Sequence, residues 1–143
     1  MTTYLLDVDV LVSLILPGHE SHDRCRKWFL NGGRDSWLTC PLTQNGAIRV
    51  GWNPALSGRS FSIKQVAANL QLLLTVGNHR FVSDTVSLLD QNVFKLDELV
   101  SPKQTTDTYL LGLCRSLGAE FATMDERIVE KSVILSGAKV HLI

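Results

Sequence analysis

The sequence predicts an α/β fold, a mainly parallel sheet with helices on both faces. Three observations predict it. Short continuous apolar runs alternate with segments of 3.6-residue periodicity, the pattern of strands separated by helical crossovers. Hydrophobic residues make up 45% and charged residues 20%, the balance of an ordinary globular protein. At 143 residues the chain is the size of one domain, and no repeat, low-complexity tract or linker divides it. Residues 1–143 are therefore read as a single domain.

Tyr4-Leu5-Leu6 is an apolar run ending at an acid, as in a strand covered on both faces. Val8 to Leu16 suits a short helix, stopped by Pro17-Gly18. His22, Cys25, Trp28 and Phe29 share a helical face, and Asn31-Gly32-Gly33 closes that helix. Trp37–Leu42 is the second strand, and a helix begins at Thr43 and carries Ala47, Ile48 and Val50. Residues 52–60 read as a loop. Ser62 and Gln65 form a capping box ahead of Ile63, Val66, Ala67, Leu70, Leu73 and Leu74. Arg80–Ser83 is a short strand, with a small helix at Val86, Leu89 and Asp90. Ser101 and Gln104 make a second capping box with Pro102 at the first helical position, and that helix runs to Gly118. Ala119–Met124 is a strand, Asp125–Leu135 a helix ending near Gly137, and Lys139–Ile143 the last strand.

Fourteen basic and fourteen acidic residues give a net charge of +0. Duplex-DNA binding by phosphate neutralisation normally needs a basic excess, so nucleic-acid contact must be local or metal-assisted. Cys25, Cys40 and Cys114 form no CxxC pair or zinc spacing and read as small core residues in a reducing compartment. The N-terminus lacks a basic region and carries Asp7 and Asp9, unlike a signal peptide. No uncharged apolar run reaches the roughly 18 residues of a membrane span. A cytoplasmic protein without membrane contact is expected. No glycine-rich phosphate loop occurs.

In open α/β sheets, sites lie beyond the carboxyl ends of strands. Three such ends carry polar residues: Asp7 with Asp9, Thr43-Gln44-Asn45, and Thr123 with Asp125. Asp107 joins them only if its helix begins at the same edge. Clustered carboxylates repel and resist desolvation, so a cluster of this kind calls for a cation. Oxygen ligands without His or Cys point to Mg²⁺ or Mn²⁺. Singly, each acid has a plainer explanation: Asp7 or Asp125 as a helix N-cap, Asp107 as an exposed acid.

The stretches LLDVDVLVSLILPGHESH, CPLTQNGAIRVGWNP, KQTTDTYLLGLC and GAEFATMDERI together resemble the four motif regions of PIN-domain ribonucleases. More closely, they resemble the VapC-type toxin of a type II toxin–antitoxin pair. The resemblance covers essentially the whole chain, in order. It implies a PIN-like three-layer α/β/α sandwich and an acidic pocket that hydrolyses RNA with Mg²⁺ or Mn²⁺. It also implies a cognate antitoxin and a homodimer. Residue by residue, it makes Asp7, Asp107 and Asp125 catalytic and metal-binding. Thr123 is a polar neighbour of the metal and Asp9 a supporting hydrogen-bonding group. Arg49 matches an Arg that pairs with the acids, touches RNA phosphate or makes a structural salt bridge.

The chain departs from that pattern at Thr43-Gln44-Asn45-Gly46, where the family usually has a Glu. Thr43 and Gln44 offer only neutral oxygens there, and restoring an acid at 44 or 46 is expected to tighten metal binding. A PIN-like module that binds RNA or protein without cutting is the alternative this departure raises. A second is a haloacid-dehalogenase-type phosphatase, whose strand-end Asp-x-Asp resembles Asp7-Val8-Asp9. Val10-Leu11-Val12 follows where that motif continues with small or Thr residues, and there is little room for a cap domain. His19 and His22 read as a loop and a helix His rather than a metal pair. Trp52 is a base-stacking, interface or core residue. Ile63, Val66, Leu70, Leu73 and Leu74 form an apolar stripe that serves either a dimer or the chain's own core.

Overall fold

The computed structural model describes residues 1–57, 61–133 and 138–143. Five parallel strands make one sheet: β1 (Tyr4–Leu6), β2 (Trp37–Thr39), β3 (His79–Phe81), β4 (Glu120–Thr123) and β5 (Val140–Leu142). Their order is β3-β2-β1-β4-β5. Strand β1 is central, with Leu5 opposite Leu38 on one side and Phe121 on the other.

Alternation along β1 sorts the two cores. Leu6 packs with Val10, Leu11 and Ile15 of α1 (Val8–Ile15), Cys25 and Phe29 of α2 (His22–Leu30), and Ala47 of α3 (Pro41–Gly51). Val66 and Leu70 close this layer from α5 (Ile63–Leu73), which follows a four-residue helix, α4 (Pro54–Ser57). Leu5 points the opposite way, into Leu110, Leu111, Leu113 and Cys114 of α6 (Thr105–Leu117) with Phe94 and Val133. The result is the three-layer α/β/α sandwich with a parallel sheet that the sequence predicts.

Both capping boxes form: Ser62 with Gln65 at α5, and Ser101 with Gln104 at a 3-10 turn that leads into α6. Gly118 ends α6 at φ +66°, a left-handed conformation that favours glycine.

Four boundaries differ from the sequence expectation. Strand β2 stops at Thr39 and α3 starts at Pro41, because Pro at N1 has no amide to orphan. Part of the expected 52–60 loop is α4. The segment around Val86–Asp90 forms turns, not a helix: Ser87 and Asp90 side chains accept from the amides two residues on, which competes with helix formation. The expected helix at 125–135 is likewise replaced. A turn at Asp125 leads to a 3-10 turn over Glu130–Ser132, and Val133 bridges Phe94. The end of that expected helix at Leu135–Gly137 lies outside the described residues.

Buried Cys25, Cys40 and Cys114 are free thiols, as core packing predicts. No helix among the described residues is long and apolar enough to cross a membrane.

Candidate active site

Asp7 follows the last residue of β1 and is the N-cap of α1. Its amide continues the sheet ladder by donating to the Ala122 carbonyl, 2.9 Å away. The strand therefore ends where the helix begins, and the side chain is left at the edge with only 7% exposure. Oδ1 accepts from the Val8 amide at 2.7 Å, and Oδ2 accepts from the Thr123 hydroxyl at 2.7 Å. Asp7 is thus the N-cap of α1, and its carboxylate also stands at the carboxyl edge of the sheet.

Burial pushes the Asp7 carboxyl up to about 6, against the Thr123 hydrogen bond that holds it down; the charges of Asp9 and Asp125 add to the rise. Asp107 sits in the first turn of α6. That helix begins at the same edge, and its 3-10 lead-in accounts for the apparent depth of Asp107 in sequence. Burial pushes Asp107 up to about 7, and the charges of Asp7, Asp125 and Asp9 push the same way. Each of the four acids thus raises Asp107 or is raised with it, so they share one electrostatic neighbourhood.

Asp125 behaves differently. Its amide donates to the Thr123 hydroxyl at 3.0 Å, tying its turn to the Thr123–Asp7 pair. Its carboxylate is engaged by Arg127: Nε donates to Oδ1 at 3.0 Å, Nη2 to Oδ2 at 3.2 Å, and the Arg127 amide to Oδ1 at 2.9 Å. These hydrogen bonds hold Asp125 below the usual carboxylate range. So Asp125 caps a turn rather than a helix, and it is the one strand-end acid with its own cation. Sequence reasoning did not single out Arg127. The signal was available, since an Arg two residues after an Asp can fold back on it across a turn.

The second motif is built differently from expectation. Thr43 is buried and serves its own helix end, accepting from the Cys40 amide at 3.0 Å. Gln44 donates from Nε2 to Thr39 Oγ1 at 2.9 Å, and Thr39 in turn pairs with His79 Nε2 at 2.8 Å. Gly46 faces α1: a Cβ there would stand 2.6 Å from Val8 Cγ2. An acid at 46 would therefore have to displace the Val8 side chain at the start of α1. Arg49 is exposed and, among the described residues, has no ion pair. That removes the structural salt-bridge reading within these residues.

His22 Nδ1 bonds the Ser13 carbonyl at 2.7 Å, and His19 Nδ1 accepts from the Ser21 amide at 3.0 Å. Both finish α1 and its turn, as the plainer reading holds. Trp52 is 50% exposed at the end of α3. Val66 and Leu70 of the apolar stripe are committed to the core, while Ile63 stays exposed.

An open cleft of about 390 Å³ runs beside the acids, lined by Asp9, Met124, Asp125, Glu126 and Arg127. Among the described residues, no group of three or more His, Cys, Asp or Glu side chains is arranged to hold a metal ion. The charged donors are carboxylates, and each engaged Asp7 oxygen keeps a further lone pair. This donor set fits Mg²⁺, which is commonly held by one or two carboxylates while keeping several waters.

No protein-family model matches the chain. It is 40% identical over 121 residues to ribonuclease VapC38 of Mycobacterium tuberculosis, covering 85% of this chain and 84% of that protein. It is 38% identical over 141 residues to ribonuclease VapC44 of the same species, covering 96% of each. Among solved structures, VapBC2 from Rickettsia felis, bound to a DNA fragment from its promoter, matches with a TM-score of 0.59. That match is 9% identical and covers 97% of this chain and 96% of the other. PAE2754 from Pyrobaculum aerophilum matches at 0.51, with 17% identity over 97% and 83%. The two structures speak to the fold alone, and the two relatives to descent: this chain belongs to the VapC family of PIN-domain ribonucleases.

Proposed function

We propose that this chain is a Mg²⁺-dependent endoribonuclease, with Mn²⁺ as an alternative ion, acting as the toxin of a toxin–antitoxin pair in the cytoplasm. The observation that carries this reading is the pairing of Asp7 and Asp107. Two carboxylates from different elements lie at the carboxyl edge of the sheet, Asp107 within electrostatic reach of Asp7, both pushed above their ordinary range. Keeping both there without a cation is unfavourable.

In this reading Asp7 and Asp107 hold the ion directly or through water, and Asp125 completes the pocket. A bound divalent ion polarises a phosphoryl oxygen and lowers the pKa of its water. The protein's part is placement. Thr123 fixes the Asp7 carboxylate through Oδ2, and the Val8 amide fixes it through Oδ1. Asp9 borders the cleft and adds negative potential. Gln44 supports the neighbouring strand end through Thr39. Arg49 and Trp52, both exposed at the end of α3, are the groups we assign to RNA phosphate and base contact.

The family suggests an antitoxin partner and pairing with a second copy. An antitoxin Arg or Lys placed among these carboxylates would replace the metal electrostatically. A two-fold homodimer would set two acidic pockets along one groove.

The test is RNA cleavage with added Mg²⁺ or a chelator, by the parent and by Asp7→Asn and Asp107→Asn. Cleavage should need the ion and vanish in both variants. Undiminished cleavage by Asp7→Asn overturns the assignment. Binding of RNA without cleavage by the parent would favour the module without nuclease activity, which the missing acid at Thr43–Gly46 supports.

A further inference from the structure

We infer that Arg127 supplies to this pocket the positive charge that a second cation would otherwise bring, so that the chain works with one divalent ion and one guanidinium. This rests on the metal-dependent reading above. Three observations carry it.

The first is the division of the acids. Asp7 and Asp107 lack a cationic side chain as hydrogen-bond partner among the described residues, while Asp125 has both carboxylate oxygens engaged by Arg127. Oδ1 carries two N–H donors, from the Arg127 amide and Nε. Few lone pairs remain on Asp125 for an ion.

The second is reach. Arg127 lines the same cleft as Asp9, and its partner Asp125 is tied through the Thr123 hydroxyl to Asp7. Arg127 therefore acts on the pocket and not only on its neighbour in the turn. An exposed ion pair of this kind adds little to stability, and the Arg127 side chain is 86% exposed, so holding the fold is a poor explanation for it.

The third is the missing donor. A second divalent ion needs carboxylates of its own, and the α3 end supplies none. Thr43 and Gln44 are used within α3 and β2, and Gly46 faces Val8. Arg127 brings charge to the same edge without needing ligands. Two of its five side-chain N–H donors are engaged, and Arg127 lines the cleft together with Asp9, Met124 and Glu126. A guanidinium so placed can bind a phosphate oxygen and stabilise charge that develops on it, as paired metal ions do.

The test is Mn²⁺ titration of the full chain, with free Mn²⁺ read by electron paramagnetic resonance. The proteins are the parent, Arg127→Ala, Arg127→Lys and the double variant Arg127→Ala/Asp125→Asn. Circular dichroism checks the fold, which an exposed residue should not disturb. The parent and Arg127→Lys should bind one ion. Arg127→Ala should gain a second, weaker ion at the freed Asp125, and the double variant should lose it again. Two ions in the parent, or one ion in Arg127→Ala, overturns the role of Arg127 and leaves the metal reading standing. No binding by the parent removes both.

Discussion

The Thr123 hydroxyl donates to Asp7 Oδ2 at 2.7 Å, joining residues 116 positions apart in sequence. The same oxygen accepts from the Asp125 amide at 3.0 Å. One side chain therefore sets the carboxylate at the end of β1 and the turn at the end of β4. It also opposes the effect of burial on Asp7.

Thr123→Val keeps the shape and removes the hydroxyl. Asp7 loses a donor and the Asp125 amide loses an acceptor. The loss of stability should be on the order of 1–3 kcal/mol, read by urea denaturation. With the hydrogen bond gone, Asp7 should rise further above about 6. The acid limb of the pH profile of kcat/KM should then move to higher pH, and Thr123→Ser should restore it. A profile that does not move in Thr123→Val would show that the hydroxyl does not tune Asp7.

Asp7 and Asp107 also make stability depend on pH. Both have folded values raised, to about 6 and about 7, from 3.8. The folded state therefore binds these protons more readily than the unfolded state. Their contribution is full below about 3.8 and is lost as pH rises through about 6 and about 7. His79, whose burial favours its neutral form, works in the opposite direction at acid pH. The cleaner measurement is therefore the difference between the parent and Asp7→Asn, without metal. Asn retains the N-cap. The variant should gain relative to the parent between about pH 4 and about pH 6.5, on the order of 2 kcal/mol after allowance for solvent screening. A difference that stays constant over that interval would refute the raised Asp7 value.

The fold was legible because strands covered on both faces leave continuous apolar runs. Tyr4-Leu5-Leu6 and the stretch ending at Thr123 announce themselves in this way. The capping residue Ser62 then locates the start of α5 within a residue, and Ser101 locates the 3-10 turn that leads into α6. Asp7 and Asp107 were legible as polar residues at strand and helix starts. What was hidden depends on tertiary contact. Nothing local says that Asp125–Val133 must abandon its helical pattern so that Val133 can bridge Phe94. Nothing local says that Arg127 folds back on Asp125, or that Gly46 is held small by Val8.

Gly46 gives a packing prediction. Its Cβ would come within 2.6 Å of Val8 Cγ2, closer than the two helices allow without moving. Gly46→Ala gains roughly 1 kcal/mol of helix propensity. Overpacking against α1 costs about 1–3 kcal/mol. The balance should be a net loss, with Gly46→Glu worse and no tighter for metal. Val8→Ala should rescue Gly46→Ala by making room, and the coupling can be read from a double-mutant cycle of denaturation midpoints. Additive losses in that cycle would mean that the two residues do not touch.

Gln44 carries the remaining test of the second motif. It lies in the first turn of α3, directly after β2, on the edge that also holds Asp7. Its amide now donates to Thr39 Oγ1. Gln44→Glu replaces that donor with an acceptor, to which the Thr39 hydroxyl must turn to donate, and brings a negative charge to this edge. The negative charge should tighten Mg²⁺ by on the order of 1–2 kcal/mol, a gain typical of a charged partner at a partly desolvated site. Without metal, the same charge should push Asp7 and Asp107 higher and lower stability at neutral pH. The two effects have opposite signs, so Mg²⁺ affinity read by isothermal titration should rise while stability without metal falls. If Gln44→Glu binds Mg²⁺ no better than the parent and loses only the stability of the Thr39 hydrogen bond, then the start of α3 does not face the pocket. The family's missing acid would then have no place to be restored in this chain.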